Sequence, residues 1–203
     1  MVAAFFKKNT LKQTGFSLNA DGFTHSGLSY KFSDVIETLI YRQVFETKVL
    51  LVGSDYDHSI SIVFVMRSGE RIQLTEQPTW LGSSKMDKVE KIQEIYNIVS
   101  EKSFQTRINK YVQQINEKGY YEYTGWRFFP KDQKLVNVET QRAYSTQAAQ
   151  LLRSYGFIAV SNEADGTAEK LRQRMKGPVG IRTLQDTDVF FALLNHYFGL
   201  HWK

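Results

Sequence analysis

The stretch NADGFTHSGLSYKFSDV, residues 19–35, decides how this sequence of 203 residues is interpreted. It contains two turn signals, Asp21-Gly22 and Ser26-Gly27, with aromatic and polar residues alternating around them. Glycine tolerates the positive φ that a tight hairpin demands, and Asp and Ser favour turns through their short polar side chains. The stretch therefore predicts short antiparallel strands joined by tight turns.

The strand pattern continues to residue 74. Further turn signals lie at residues 53–55 and 68–69, and residues 41–52 are β-branched and aromatic enough for one long strand or two short ones. Between them, apolar residues recur with a period of two, which places them on one face of a strand: Ile60, Ile62, Phe64 and Met66.

A helical period replaces the strand period at Ser84. Apolar residues then recur at steps of three and four, as on an amphipathic helix: Met86, Val89, Ile92, Tyr96 and Val99. The stripe slips over residues 100–103, where we expect a break or kink, and Gly119 is a natural carboxy-terminal stop. A second helix is predicted from about Asp186 to Phe198, with Asp186 and Asp188 capping its free N–H groups.

The pattern of the first half returns about 110 residues later. Residues 16–40 and 127–152 share a strand, an Asp-containing turn, an aromatic-Ser step and a pair of aliphatic residues. Self-similarity at a fixed spacing is the signature of repeated structural units. The sequence thus predicts two units in tandem, divided as residues 1–102, a helical connector 103–118 and a second, shorter unit 119–203.

Meandering strands followed by one closing helix resemble the pleckstrin-homology-like (PH-like) domain of small bacterial proteins. The likeness rests on residues 19–35, with their Asp-Gly turn and Ser33-Asp34-Val35 step, and on the helix after Ser84. It covers residues 14–101, and the second unit only at its ends, with less room there for middle strands. The resemblance implies an α+β fold in which antiparallel strands form partly closed barrels, each followed by a helix. It also implies binding of proteins, peptides or lipid headgroups rather than catalysis.

Composition narrows the class of protein. A hydrophobic content of 42% supports a packed core, and the lack of cysteine excludes disulfides, thiolate nucleophiles and cysteine-ligated metals. No stretch has the pattern of a secretory signal or the roughly 20 apolar residues of a membrane span, so we expect a cytoplasmic protein. The net charge of +5 permits an anionic partner without requiring one.

Two groups of residues are the candidates for binding. Lys170, Arg172, Arg174 and Lys176 alternate with other residues, so that a strand would present four cations on one face to phosphate, acidic protein or anionic lipid. On a helix the same cations would spread over a solvated surface. The second group is aromatic. Tyr121, Tyr123 and Trp126 suit stacking on bases or packing in a core. Trp202 lies in an apolar carboxy-terminal tail that either docks on its own fold or marks a partner surface.

Patterns typical of catalysis are weak in this chain. Asp55, Asp57 and His58 are close enough in sequence for a metal, but they follow a predicted turn, where Asp is common. His196 lies eight residues after Asp188, roughly 12 Å along a helix, too far for an acid–base pair. We therefore expect no catalytic residue, no metal and no cofactor.

The sequence favours a non-enzymatic binding or regulatory module. Its expected partner is another protein or an anionic ligand, and self-association into a homo-oligomer is left open. The alternatives are a nucleic-acid or polyanion binder that uses the basic strand face, and an enzyme without a recognisable motif.

Overall fold

The computed structural model describes residues 15–49, 53–78, 86–146, 149–154, 157–162 and 180–199. The chain divides into two compact units, Met1–Arg107 (unit 1) and Ile108–Lys203 (unit 2). Each combines antiparallel sheets with helix, which confirms the predicted α+β class. Within the described ranges no sheet closes into a barrel, and the PH-like identity of the units stays a prediction.

Two three-stranded meanders form unit 1. The first contains β1 (Ser17–Leu18), β2 (Gly22–His25) and β3 (Leu28–Lys31). A 3-10 turn at Phe32–Asp34 leads into the second, which contains β4 (Val35–Val49), β5 (Gly53–Met66) and β6 (Arg71–Glu76). Residues 41–49 thus belong to one long strand. The predicted turn at residues 53–55 is wrong, because Gly53 already pairs with Val49 as the first residue of β5.

The core of unit 1 follows the period of two on β5. Ile60, Ile62, Phe64 and Met66 are all at most 2% exposed. They pack with the first sheet and with the helical stripe that includes Val89, Ile92 and Val99. Burying each such side chain stabilises the folded state by roughly 1.5–3 kcal/mol. The apolar layer therefore holds both sheets against the helix.

Helix α1 (Met86–Lys118) is continuous for 33 residues, and the predicted break over residues 100–103 is wrong. The slip in the apolar stripe is filled by buried polar residues. The Ser103 hydroxyl donates a hydrogen bond to the Val99 carbonyl (2.7 Å) and accepts one from Arg107 (3.1 Å). The helix ends as predicted at Gly119, whose φ is 77° and whose N–H bonds to the Ile115 carbonyl (2.9 Å).

Unit 2 contains a four-stranded meander, a three-stranded meander and a helix. The strands are β7 (Tyr121–Tyr123), β8 (Trp126–Phe129), β9 (Lys134–Asn137), β10 (Ala143–Ser145), β11 (Ala149–Ser154), β12 (Phe157–Asn162) and β13 (Gly180–Arg182), and the helix is α2 (Thr187–Phe198). The expected shortage of middle strands is wrong. β11 and β12 occupy that part of the unit and pair with each other over six residues.

The amino terminus of α2 departs from the predicted capping. Asp186 is the residue before the helix, but its side chain makes no capping hydrogen bond and its backbone is left-handed, with φ of 40°. The buried carboxylate instead accepts a hydrogen bond from the Tyr111 hydroxyl (3.0 Å). The buried face of α2 consists of apolar residues: Val189, Phe190, Leu193, Leu194 and Phe198.

In unit 1 two meanders precede α1, whereas unit 2 begins with the last part of α1 and continues with two meanders and α2. The tandem duplication stays a prediction. The segment predicted as a connector, residues 103–118, is the second part of α1, and the predicted domain limits stay a prediction. Neither helix in the described part of the chain combines the length and apolar character needed to cross a membrane.

Candidate functional site

Strand β3 forms one wall of a cleft in unit 1, and a close backbone approach holds it in place. A Cβ atom at Gly22 would lie 1.9 Å from the Tyr30 carbonyl oxygen, so only glycine lets β2 approach β3 there. The Asn19 side chain accepts a hydrogen bond from the Gly22 N–H (2.7 Å) and fixes the turn between β1 and β2. On the core side, the Tyr30 ring stacks on Phe23 at 5.4 Å between centroids.

The turn between β5 and β6 forms the opposite wall. Gly69 has a φ of 88°, a conformation that glycine adopts at no steric cost, and the Met66 N–H bonds to the Glu70 carbonyl (2.8 Å) to close the turn. The Arg67 N–H donates to the Asp34 carbonyl (2.7 Å), which ties this turn to the 3-10 turn after β3. Both walls are therefore anchored through the backbone.

Between the two walls lies an open cleft of about 390 Å³, which we call the β3 cleft. Met66 is its one fully buried lining residue, whereas the polar lining residues are exposed or half-buried. The residues that line the cleft are Ser29, Tyr30, Asp34, Met66, Arg67 and Ser68. Its volume falls in the range of about 300–1,000 Å³ that is usual for ligand pockets.

Several polar groups of the β3 cleft are available to a ligand. Among the described residues, Arg67 forms no ion pair, and its guanidinium makes one long contact, 3.4 Å, to the Ser33 carbonyl. The side chains of Ser29 and Asp34 make no hydrogen bond within that part of the chain. The cleft thus offers a cation, a carboxylate and a hydroxyl that have few partners among the described residues.

Tyr30 is the titratable cleft residue whose ionisation is shifted. The hydrogen bond from its hydroxyl to the Glu70 carboxylate (2.6 Å) raises its pKa above the ordinary value of 10.0, and burial and the charge of Glu70 act in the same direction. The phenol is therefore neutral near pH 7 and acts as a hydrogen-bond donor. The protonated hydroxyl can hold the Glu70 side chain in place, but it cannot act as a general base.

The aromatic binding candidates that the structure describes are buried. Tyr121, Tyr123 and Trp126 are at most 2% exposed. Tyr121 stacks on Phe128 (4.8 Å between centroids), and Tyr123 stacks on Phe190 (3.9 Å). The packing alternative is therefore what the structure contains, because rings enclosed in a core present no face to a base in this conformation. The other candidates, Lys170, Arg172, Arg174, Lys176 and Trp202, lie outside the described residues.

The weak metal candidate lies on a strand rather than in a turn. Asp57 and His58 are consecutive residues of β5, so their side chains point to opposite faces of the sheet. No group of three or more potential metal ligands occurs among the residues that the structure describes. His196 lies in the last turn of α2.

Sequence reasoning missed the β3 cleft, although it used several of its residues as turn and strand markers. The Ser68-Gly69 turn and the Ser33-Asp34 step are both recognisable in the sequence. No local sequence pattern, however, indicates that these two segments lie close together. Tyr30 and Glu70 are 40 residues apart in sequence, and a hydrogen bond joins their side chains. Only the fold of unit 1 brings the two segments together.

No protein-family model matches this sequence, and no curated protein or solved structure shows significant similarity to it.

Proposed function

We propose that this protein is a non-enzymatic binding module that contacts another protein through the β3 cleft. The observation that carries the proposal is an open cleft that borders an exposed strand and contains Arg67, a cation with no ion pair among the described residues. Leu28, on the same strand, is 58% exposed.

The chemistry of the cleft supports binding over catalysis. A nucleophilic hydroxyl needs a base within hydrogen-bond reach, and the contact of the Ser68 hydroxyl is to a backbone N–H, that of Glu70 (3.4 Å). The one shifted pKa, that of Tyr30, moves away from the range useful for proton transfer at neutral pH. The resemblance to PH-like domains and the order of elements in unit 1 point in the same direction.

The alternative of a polyanion binder rests on the alternation of Lys170, Arg172, Arg174 and Lys176. It predicts retention on a heparin or DNA column with a steep salt dependence, which reversal of the four charges would abolish. Within the β3 cleft, Asp34 and the neighbouring Glu70 disfavour a run of phosphates. The cleft is therefore better suited to binding a protein than to binding a polyanion.

Site-specific photo-crosslinking tests the proposal. A benzoylphenylalanine residue replaces Ser29 in the cleft or, as a control, the exposed Glu101 on α1, in full-length protein within the cells that produce it. We expect a discrete protein adduct from position 29 on irradiation, none from position 101, and loss of the adduct when Arg67→Glu is added. Adducts are identified by mass spectrometry after denaturing purification.

Three results would contradict this function. An absence of adducts from position 29, or the same adducts from both positions, would remove the cleft as a contact site. Adducts that nuclease treatment eliminates would favour the polyanion alternative.

A further inference from the structure

Resting on the proposed function, we infer that the occupant of the β3 cleft is an extended peptide segment that adds to the edge of β3 as a new strand. A carboxylate side chain of this segment is bound by Arg67. The inference names how the partner is recognised and the chemistry of the segment that it contributes.

The open edge of β3 carries the first step. Among the described residues, β3 pairs with β2 and with no other strand, through four consecutive positions from Gly22–Lys31 to His25–Leu28. A strand paired on one side leaves N–H and C=O groups on the other side without strand partners, a template for an additional strand. Because the cleft lies between β3 and the β5–β6 turn, an added strand on that edge occupies the cleft.

Side-chain chemistry gives the second step. The Arg67 guanidinium is exposed, forms no ion pair among the described residues and has donors in the planar fork that matches a carboxylate. Ser29 and Ser68 place hydroxyl groups in the same cleft. Asp34 lines it as well, so a second acidic side chain nearby would be repelled. This mixed charge selects a segment with one acidic residue and disfavours a polyphosphate or an anionic membrane.

The edge strand also fits an apolar contact. Leu28 and Tyr30 are two residues apart and so lie on the same face of β3. Cross-strand pairs of aromatic and β-branched side chains stabilise a sheet by roughly 0.2–1 kcal/mol each. A β-branched or aromatic residue opposite Leu28 would cover a side chain that is now 58% exposed.

Peptide display provides the test. Full-length protein is used to select binders from a random library of twelve-residue peptides, and the selected peptides are measured by fluorescence polarisation. We expect β-branched or aromatic residues around one Asp or Glu, and an increase in Kd of at least about tenfold with Arg67→Glu, the effect of losing one charge-assisted contact. Lys102→Glu, which reverses an exposed cation on α1, should leave Kd unchanged.

Backbone methylation separates strand addition from other binding modes. An added strand presents the N–H groups of alternate residues to β3, so N-methylation at every second position should abolish binding while the positions between tolerate it. Loss without this period of two, or equal affinity for the wild type and Arg67→Glu, would overturn the inference. If no peptide is selected but the crosslink from position 29 forms, strand addition is wrong and the proposed function stands. If neither is seen, both fail.

Discussion

Each of the two parts of helix α1 has a polar side chain buried in a protein core, and the two side chains have different hydrogen-bond partners. Arg107, in unit 1, is a fully buried cation, and its guanidinium donates to Thr38 (3.2 Å), Ser103 (3.1 Å) and the Ser100 carbonyl (2.6 Å). Tyr111, in unit 2, is a buried neutral phenol that donates to the Asp186 carboxylate (3.0 Å). A buried charge has to be held by many partners, whereas a phenol needs one.

The difference shows how one helix serves two cores. In unit 1 the polar network lies where the apolar stripe of the helix is interrupted, after Val99. In unit 2 the surroundings of Tyr111 are aromatic: its ring lies 6.0 Å from that of Tyr121 and 6.4 Å from that of Tyr123. The substitutions below test how strongly each buried polar group stabilises the core that contains it.

The largest effect is expected from Arg107→Met. The substitution leaves the Ser100 carbonyl and the hydroxyl groups of Thr38 and Ser103 without these donors in the core, and each such group costs about 1–3 kcal/mol. We expect the free energy of unfolding to fall by about 3 kcal/mol or more, measured by urea denaturation. Arg107→Lys should rescue only part of it, since one ammonium cannot replace the guanidinium fork.

Lys102→Met on the exposed side of α1 is the matched control and should change stability by less than about 0.5 kcal/mol. A loss for Arg107→Met no greater than that of the control would mean that the network does not stabilise unit 1.

Tyr111→Phe should have an intermediate effect. It removes one hydroxyl that donates to a buried carboxylate, an interaction worth about 1.5–3 kcal/mol, and keeps the ring. Tyr120→Phe is the control, because the Tyr120 ring packs on Phe129 (5.1 Å) and its hydroxyl forms no hydrogen bond within the described residues. Urea denaturation of both variants gives the comparison. If Tyr111→Phe cost more than Arg107→Met, the order of the two cores would be reversed.

The smallest effect is expected from Tyr121→Phe. The Tyr121 hydroxyl is buried and has no hydrogen-bond partner among the described residues, so removing it at pH 7 should leave stability unchanged or raise it by up to about 1 kcal/mol. Burial, the first cause, raises the pKa of Tyr121 well above its ordinary value of 10.0 in the folded protein.

The sign of the pH dependence follows from that shift. Below pH 10 the phenol is protonated in both states, whereas above pH 10 it ionises only on unfolding, so stability falls as the pH rises above 10. Urea denaturation at pH 8 and pH 10.5 should show a smaller fall for Tyr121→Phe than for the wild type. An equal fall would contradict the burial of this hydroxyl.

Local patterns predicted much of the fold. The turns at Gly27 and Gly69, the period of two on β5 and the helix end at Gly119 depend on backbone geometry within a few residues, and all are present. The predicted break in α1 rested on the slip of the apolar stripe, but the helix continues there because Ser103 bonds to Arg107 and Arg107 reaches Thr38 in the core. The predicted capping by Asp186 failed because its carboxylate accepts a hydrogen bond from Tyr111.

The sequence by itself determined the α+β class, the strand and helix periods and the absence of cysteine chemistry. Only the tertiary structure decided which polar groups are buried and which segments form the β3 cleft. Thr38 and Arg107 are 69 residues apart, Tyr111 and Asp186 are 75 apart, and Tyr30 and Glu70 are 40 apart. Periodicity indicates on which face of a helix or strand a residue lies. Which residue it contacts there depends on how elements that are distant in sequence pack together.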